Sequence, residues 1–303
     1  MRGDVNRPPI KTLFKGDFKM AKTKKEEAAS NEVAVTGGNV ATYAYGSEDG
    51  TGFENQTQAD VKIPWLKLLQ DTNPEVKRGG LEGAEAGMLL IGDDELYGEE
   101  EGIVIIPCFT EHTFVEWEPR DKGGKFVARH DITSQVVADA KAKYKFGEYK
   151  TEAGNDLVDT FYVYAITEHD LAPLIIGFNS TKISVYQTWM GKLRKHLIQL
   201  ENGNKVNPPL FANRVRITSK GQKNNKGDFF NFVISPAEED ITDAKTGEVV
   251  KSALAASLLP PDDERLKTAV EVKKIIQSGQ AKVDFNAQTA ESEATQEDGK
   301  AHF

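Results

Sequence analysis

From residue 211 to residue 235 the apolar side chains alternate in two runs separated by a polar, basic stretch. Period two suits strands with one buried face and does not suit helix. Val215 and Ile217 share one face of a strand over 213–219, with Arg214, Arg216 and Thr218 on the other. Phe230, Phe232 and Ile234 share one face of a second strand over 228–234, which puts Phe229 and Asn231 on its opposite face, beside the arginines. Residues 220–227 are rich in turn formers and carry Lys220, Lys223 and Lys226, which predicts a long basic loop. Arginines and an aromatic on one strand face, next to lysines, are what a groove for single-stranded nucleic acid requires. Cations follow the phosphates and a ring stacks on a base. A solvated hairpin with one exposed Phe accounts for the same residues without a ligand.

The pattern recurs along the chain. Strands are predicted over 88–91, 102–108, 113–118, 126–130, 157–167 and 171–178, the fifth apolar on both faces and therefore central. The hairpin onto 126–130 has a second basic tip, with Arg120, Lys122, Lys125 and Arg129 as further candidate phosphate contacts. Trp117 shares a face with Val115, which predicts a core position. Pro64 suits a first helical position and predicts a short buried helix through Leu69. Ser134 is placed to cap a helix through Tyr144.

The clearest helix spans 181–200, where Ile183, Tyr186, Met190, Leu193, Leu197 and Leu200 form one stripe. Another spans 263–278, with Leu266, Val270 and Ile275 or Ile276 inward. The fold class that follows is mainly β with α additions (α+β): an OB-like β-barrel or half-barrel with one long amphipathic helix and a C-terminal helix. Residues 1–52 read as a disordered N-terminal segment, 53–280 as the globular domain, and 281–303 as a disordered acidic tail. Met20-Ala21-Lys22 reads as a bacterial start, which would leave 1–19 upstream of the natural product.

A formal net charge of -9 excludes a uniformly basic nucleic-acid coat, so binding must rest on local basic patches. Cys108 is the single cysteine and lies in an apolar run, which predicts a buried inert thiol and no internal disulfide. No apolar run reaches the roughly 18 residues of a membrane helix, and no secretory segment opens the chain, so a cytoplasm is the expected location. The five histidines lack metal-ligand spacing and no nucleophile or phosphate-loop motif occurs, so neither enzyme activity, a cofactor nor a metal is expected.

Gly52-Phe53-Glu54, the segment 60–70, and Phe114-Val115-Glu116-Trp117-Glu118-Pro119-Arg120 followed by Gly123-Gly124 resemble a group of tailed-bacteriophage proteins of poorly defined function. The resemblance implies a phage origin, and hence a host-cell cytoplasm as the location. A strand-rich body followed by an acidic tail ending in Phe303 is similar to phage and bacterial single-stranded DNA-binding proteins. That likeness implies a non-catalytic role in replication or recombination, with Phe303 recruiting replication partners. The rival expectation is a structural or virion-associated phage protein without nucleic-acid binding.

Overall fold

The computed structural model describes residues 62–77, 79–200, 202–224, 227–279 and 282–285. In chain order the elements are β1 (Lys62–Ile63), β2 (Trp65–Leu68), β3 (Leu89–Ile91), β4 (Glu95–Tyr97), β5 (Ile103–Trp117), β6 (Phe126–Asp131), α1 (Gln135–Lys143), β7 (Asp156–Thr167), β8 (Pro173–Asn179) and α2 (Lys182–Lys195). There follow β9 (Ile198–Gln199), β10 (Lys205–Val206), β11 (Val215–Asn224), β12 (Gly227–Pro236), β13 (Ile241–Thr242), β14 (Val249–Lys251), α3 (Ala253–Ala256), α4 (Glu264–Gln277) and β15 (Lys282–Val283).

The main sheet runs β12-β11-β5-β7-β8-β2-β3-β4, with β6 also paired to β5. β7 lies along almost the whole of one edge of β5. The other edge is shared: β11 pairs with its start at Ile103–Ile105, and β6 with its end at Thr113–Trp117. Phe232 of β12 and Leu66 of β2 lie far apart in the strand order yet belong to one buried cluster, so the sheet curls into a half-barrel.

The curl is closed by side chains. The Gln70 amide accepts from the Phe230 backbone N–H at 2.8 Å and donates to its carbonyl at 3.0 Å, and the Ser219 hydroxyl donates to the Gly87 carbonyl. Gly87 has φ 92°, and a Cβ there would stand 2.6 Å from the Phe230 ring, so only glycine lets the ribbon close. Tyr186, Trp189 and Leu193 of α2 pack into the concave side. On the convex side α4 supplies Ala269 and Val272 against Ile106, Cys108 and Ile166. Burial pushes the Cys108 thiol up to about 12, in line with an inert side chain.

Several expected elements change. The helix expected through Leu69 is strand β2, because Leu66 and Leu68 face the concave core while Trp65 packs on the convex side. A strand buried on both faces shows no alternation to read. The expected strands 102–108 and 113–118 are one strand, β5, bulged between Pro107 and Phe109. α2 stops at Lys195, where Asn207 Nδ2 donates to the Leu193 and His196 carbonyls at 2.7 Å each and takes over the C-terminal cap. Leu197 and Leu200 are exposed. The cap at Ser134 is as expected, its Oγ accepting from Val137 N, and the helix expected over 263–278 is α4, with Asp263 as its N-cap accepting from Arg265 N. The globular part also reaches past 280, since β15 pairs in parallel with β1 and Phe285 packs against Trp65.

Candidate nucleic-acid interface

The two basic hairpins leave the same edge of β5 at opposite ends. β11 pairs with β5 only as far as Ile217, opposite Ile103, and from Thr218 to Asn224 it pairs with β12 alone. The predicted loop 220–227 is therefore mostly ribbon, and Lys226 lies outside the described residues. The β5–β6 hairpin turns beyond Trp117, at the other end of the strand. Ile103 and Trp117 are fourteen residues apart on β5, about 46 Å along the strand at strand rise, so the described candidate residues do not form one patch.

Just before β11, Arg214 is removed from any phosphate role by carboxylates. Its Nε donates to Glu168 at 2.5 Å and its guanidinium pairs with Glu238 at 2.9 Å. Arg265 of α4 meets the same Glu168 oxygen and pairs with Asp263, so the cluster ties β11 and α4 to the β7–β8 turn. Arg216 donates to the Glu101 carbonyl at 3.1 Å. Lys220 and Lys223 are exposed, and Lys223 stands 3.6 Å from Asp228 across the strand pair.

Phe230, Phe232 and Ile234 face the core as the alternation predicts, and half-buried Phe229 faces the other way. Its register partner is Gln222, with Arg216 opposite Ser235 much further down the ribbon. Phe229 is therefore not beside the arginines. The strands run longer than the turn formers suggested, and the pairing shifts with them.

On the second hairpin, Lys122 ends a three-residue 3-10 turn that begins at Arg120, whose side chain lies outside the described ones; Lys122 and Lys125 are exposed. The hairpin is braced by Glu116, whose carboxylate accepts from Asn155 (2.7 Å) and Thr151 (3.1 Å) and meets His130 Nε2 at 2.7 Å. Burial pushes the Glu116 carboxyl up, but these hydrogen bonds outweigh it and hold it below its ordinary 4.5. A depressed carboxyl adds stability above its unfolded-state pKa and loses it as pH falls through the folded one. Glu116→Gln is expected to lower stability at neutral pH by about 1–2 kcal/mol. The gap to the unsubstituted protein should close on acidification below about 4.5, read from melting curves across pH. A gap independent of pH would remove the carboxylate from the account.

A groove of about 680 Å³ on the convex face is lined by Phe109, Glu111, Arg129, Tyr164 and Phe285. Phe126 follows Lys125 and stacks on Phe285 (5.4 Å, 21°), and the Arg129 guanidinium lies 4.6 Å over the same ring. Arg129 also donates to Glu111 Oε2 at 2.9 Å, and the Tyr164 hydroxyl donates to that oxygen at 3.2 Å. Burial first, and then the Glu111 charge, push the Tyr164 phenol up to about 12, so it stays a donor. Phe109 tilts against Tyr164 at 6.3 Å. The end of α4 contributes Gln277 to the opposite wall.

Of these residues only Arg129 was expected from the sequence. A usable signal was Phe285, which with Phe303 makes up the aromatics beyond Phe232. Phe303 itself lies outside the described residues. Among the described residues no three His, Cys, Asp or Glu converge as metal ligands, and no helix is long and apolar enough to cross a membrane.

Residues 25–255 match the model of a family described as Pam3 phage gp34-like protein. No curated protein and no solved structure matches the chain.

Proposed function

The chain belongs to the Pam3 phage gp34-like family, and from that premise we propose that this phage protein is a non-catalytic single-stranded DNA-binding protein acting in replication or recombination in the host cytoplasm. The observation that carries the reading is that one hairpin holds exposed Lys122 and Lys125 at its tip and, on its second strand, Phe126 and Arg129, both in contact with the Phe285 ring that lines the groove. A single strand needs cations spaced along its backbone and rings for its bases, and this hairpin offers both within one strand length. Lys220 and Phe229 on the ribbon form a second station at the far end of β5. An OB-type architecture is part of the same proposal, supported by a sheet, antiparallel except where β2 pairs with β8, that curls and closes through Gln70. Phe303 as a contact for replication proteins belongs to it as well.

About three or four phosphate contacts should give a log-log salt slope of roughly -2 to -3 for oligo-dT. Changing Lys122 and Lys125 together to Glu should flatten that slope by about 1.4, because two contacts are lost. Fluorescence anisotropy of a labelled strand reads both numbers. Absence of oligo-dT binding in low salt would overturn the proposal and favour the virion-associated reading.

A further inference from the structure

The convex groove has a composition that selects among ligands. It presents one cation and one anion in contact, Arg129 and Glu111, so it offers no excess charge to a free phosphate. Around that pair the lining is largely apolar: half-buried Phe109 beside the buried Tyr164, and Phe285, whose ring carries the Arg129 guanidinium and stacks on Phe126. Phe285 is held in place by stacking on Phe126 and by the edge of Trp65 at 5.8 Å. A donor beside an acceptor in a largely apolar lining is suited to the edge of a planar heteroaromatic ring.

Resting on the reading of the protein as a single-strand binder, we infer that this groove takes one unstacked guanine base from the bound strand. Guanine presents two adjacent N–H donors on its pairing edge with a carbonyl acceptor next to them. Glu111 uses Oε2 for Arg129 and Tyr164, which leaves Oε1 to accept from those donors, while Arg129 faces the carbonyl. Adenine, cytosine and thymine each bring a single donor group to that edge and leave the carboxylate less well matched. The phosphates on either side remain outside the groove, and exposed Lys122 and Lys125, at the tip of the hairpin that carries Arg129, are the cations offered to them. The lysines then supply binding without regard to base, and the groove supplies choice.

The test compares a twelve-nucleotide oligo-dT with the same strand carrying one central guanine, alongside titration of free dGMP and dTMP followed by the fluorescence of Trp65, which touches Phe285. The guanine strand is expected to bind about tenfold more tightly, the worth of one good edge contact. Free dGMP should change the tryptophan signal at lower concentration than dTMP. Glu111→Gln is expected to bring the two strands to within about twofold of each other. Equal affinities of the unsubstituted protein for the two strands would overturn the guanine assignment while leaving single-strand binding intact. A dGMP response without any strand binding would overturn the single-strand reading and leave the groove assigned. No response to either overturns both.

Discussion

Phe232→Ala is expected to destabilise the protein by about 3–5 kcal/mol, the usual cost of truncating a fully buried Phe. The ring is 2% exposed, packs 5.6 Å from Phe178 and carries the Lys182 ammonium 5.0 Å above it. It belongs to the cluster that α2 and both ends of the sheet build together, so no single neighbour can move in to fill the space. Phe229→Ala, on the opposite face, should cost under about 1 kcal/mol of stability and weaken single-strand binding by about 1–3 kcal/mol if its ring stacks on a base. Urea denaturation and anisotropy measured on both variants separate the two faces. Equal stability losses would show the face assignment of β12 to be wrong.

Gln70→Ala should be the next most damaging change, at about 2–4 kcal/mol, because it strips partners from both backbone groups of Phe230 at once. Gln70 is not part of a strand, yet its amide pairs with the edge of β12 as a neighbouring strand would. Losing it opens the half-barrel between β12 and the turn after β2 without deleting any apolar contact. The specific readout is amide exchange: the Phe230 N–H should exchange far faster in the variant, while amides in β7 keep their protection. Unchanged exchange at Phe230 would mean that another group closes the curl.

Some of this is written locally in the chain. Alternation in 213–219 and 228–234 assigned Val215, Ile217, Phe230, Phe232 and Ile234 to the core without any knowledge of what they pack against. Ser134 announced the start of α1, since a cap is a contact between residues two or three apart. The phage family, the buried Cys108 and the core position of Trp117 were legible in the same way.

What only the tertiary structure decided involves partners distant in sequence. β2 is a strand because β3 and β8 lie on either side of it, and its own apolar run suits helix equally well. β5 continues through Thr110-Glu111-His112 because β7 pairs with each of them. Arg214 looks like a phosphate ligand until Glu168, 46 residues earlier, takes its guanidinium. The groove gathers Phe109, Arg129, Tyr164 and Phe285 from four separate segments, so no window of sequence contains it. Local patterns record which face of an element is apolar and where an element can start, because those depend on neighbours along the chain. Which charges neutralise each other, and which aromatics converge, depends on the register of strands and on the curl of the sheet.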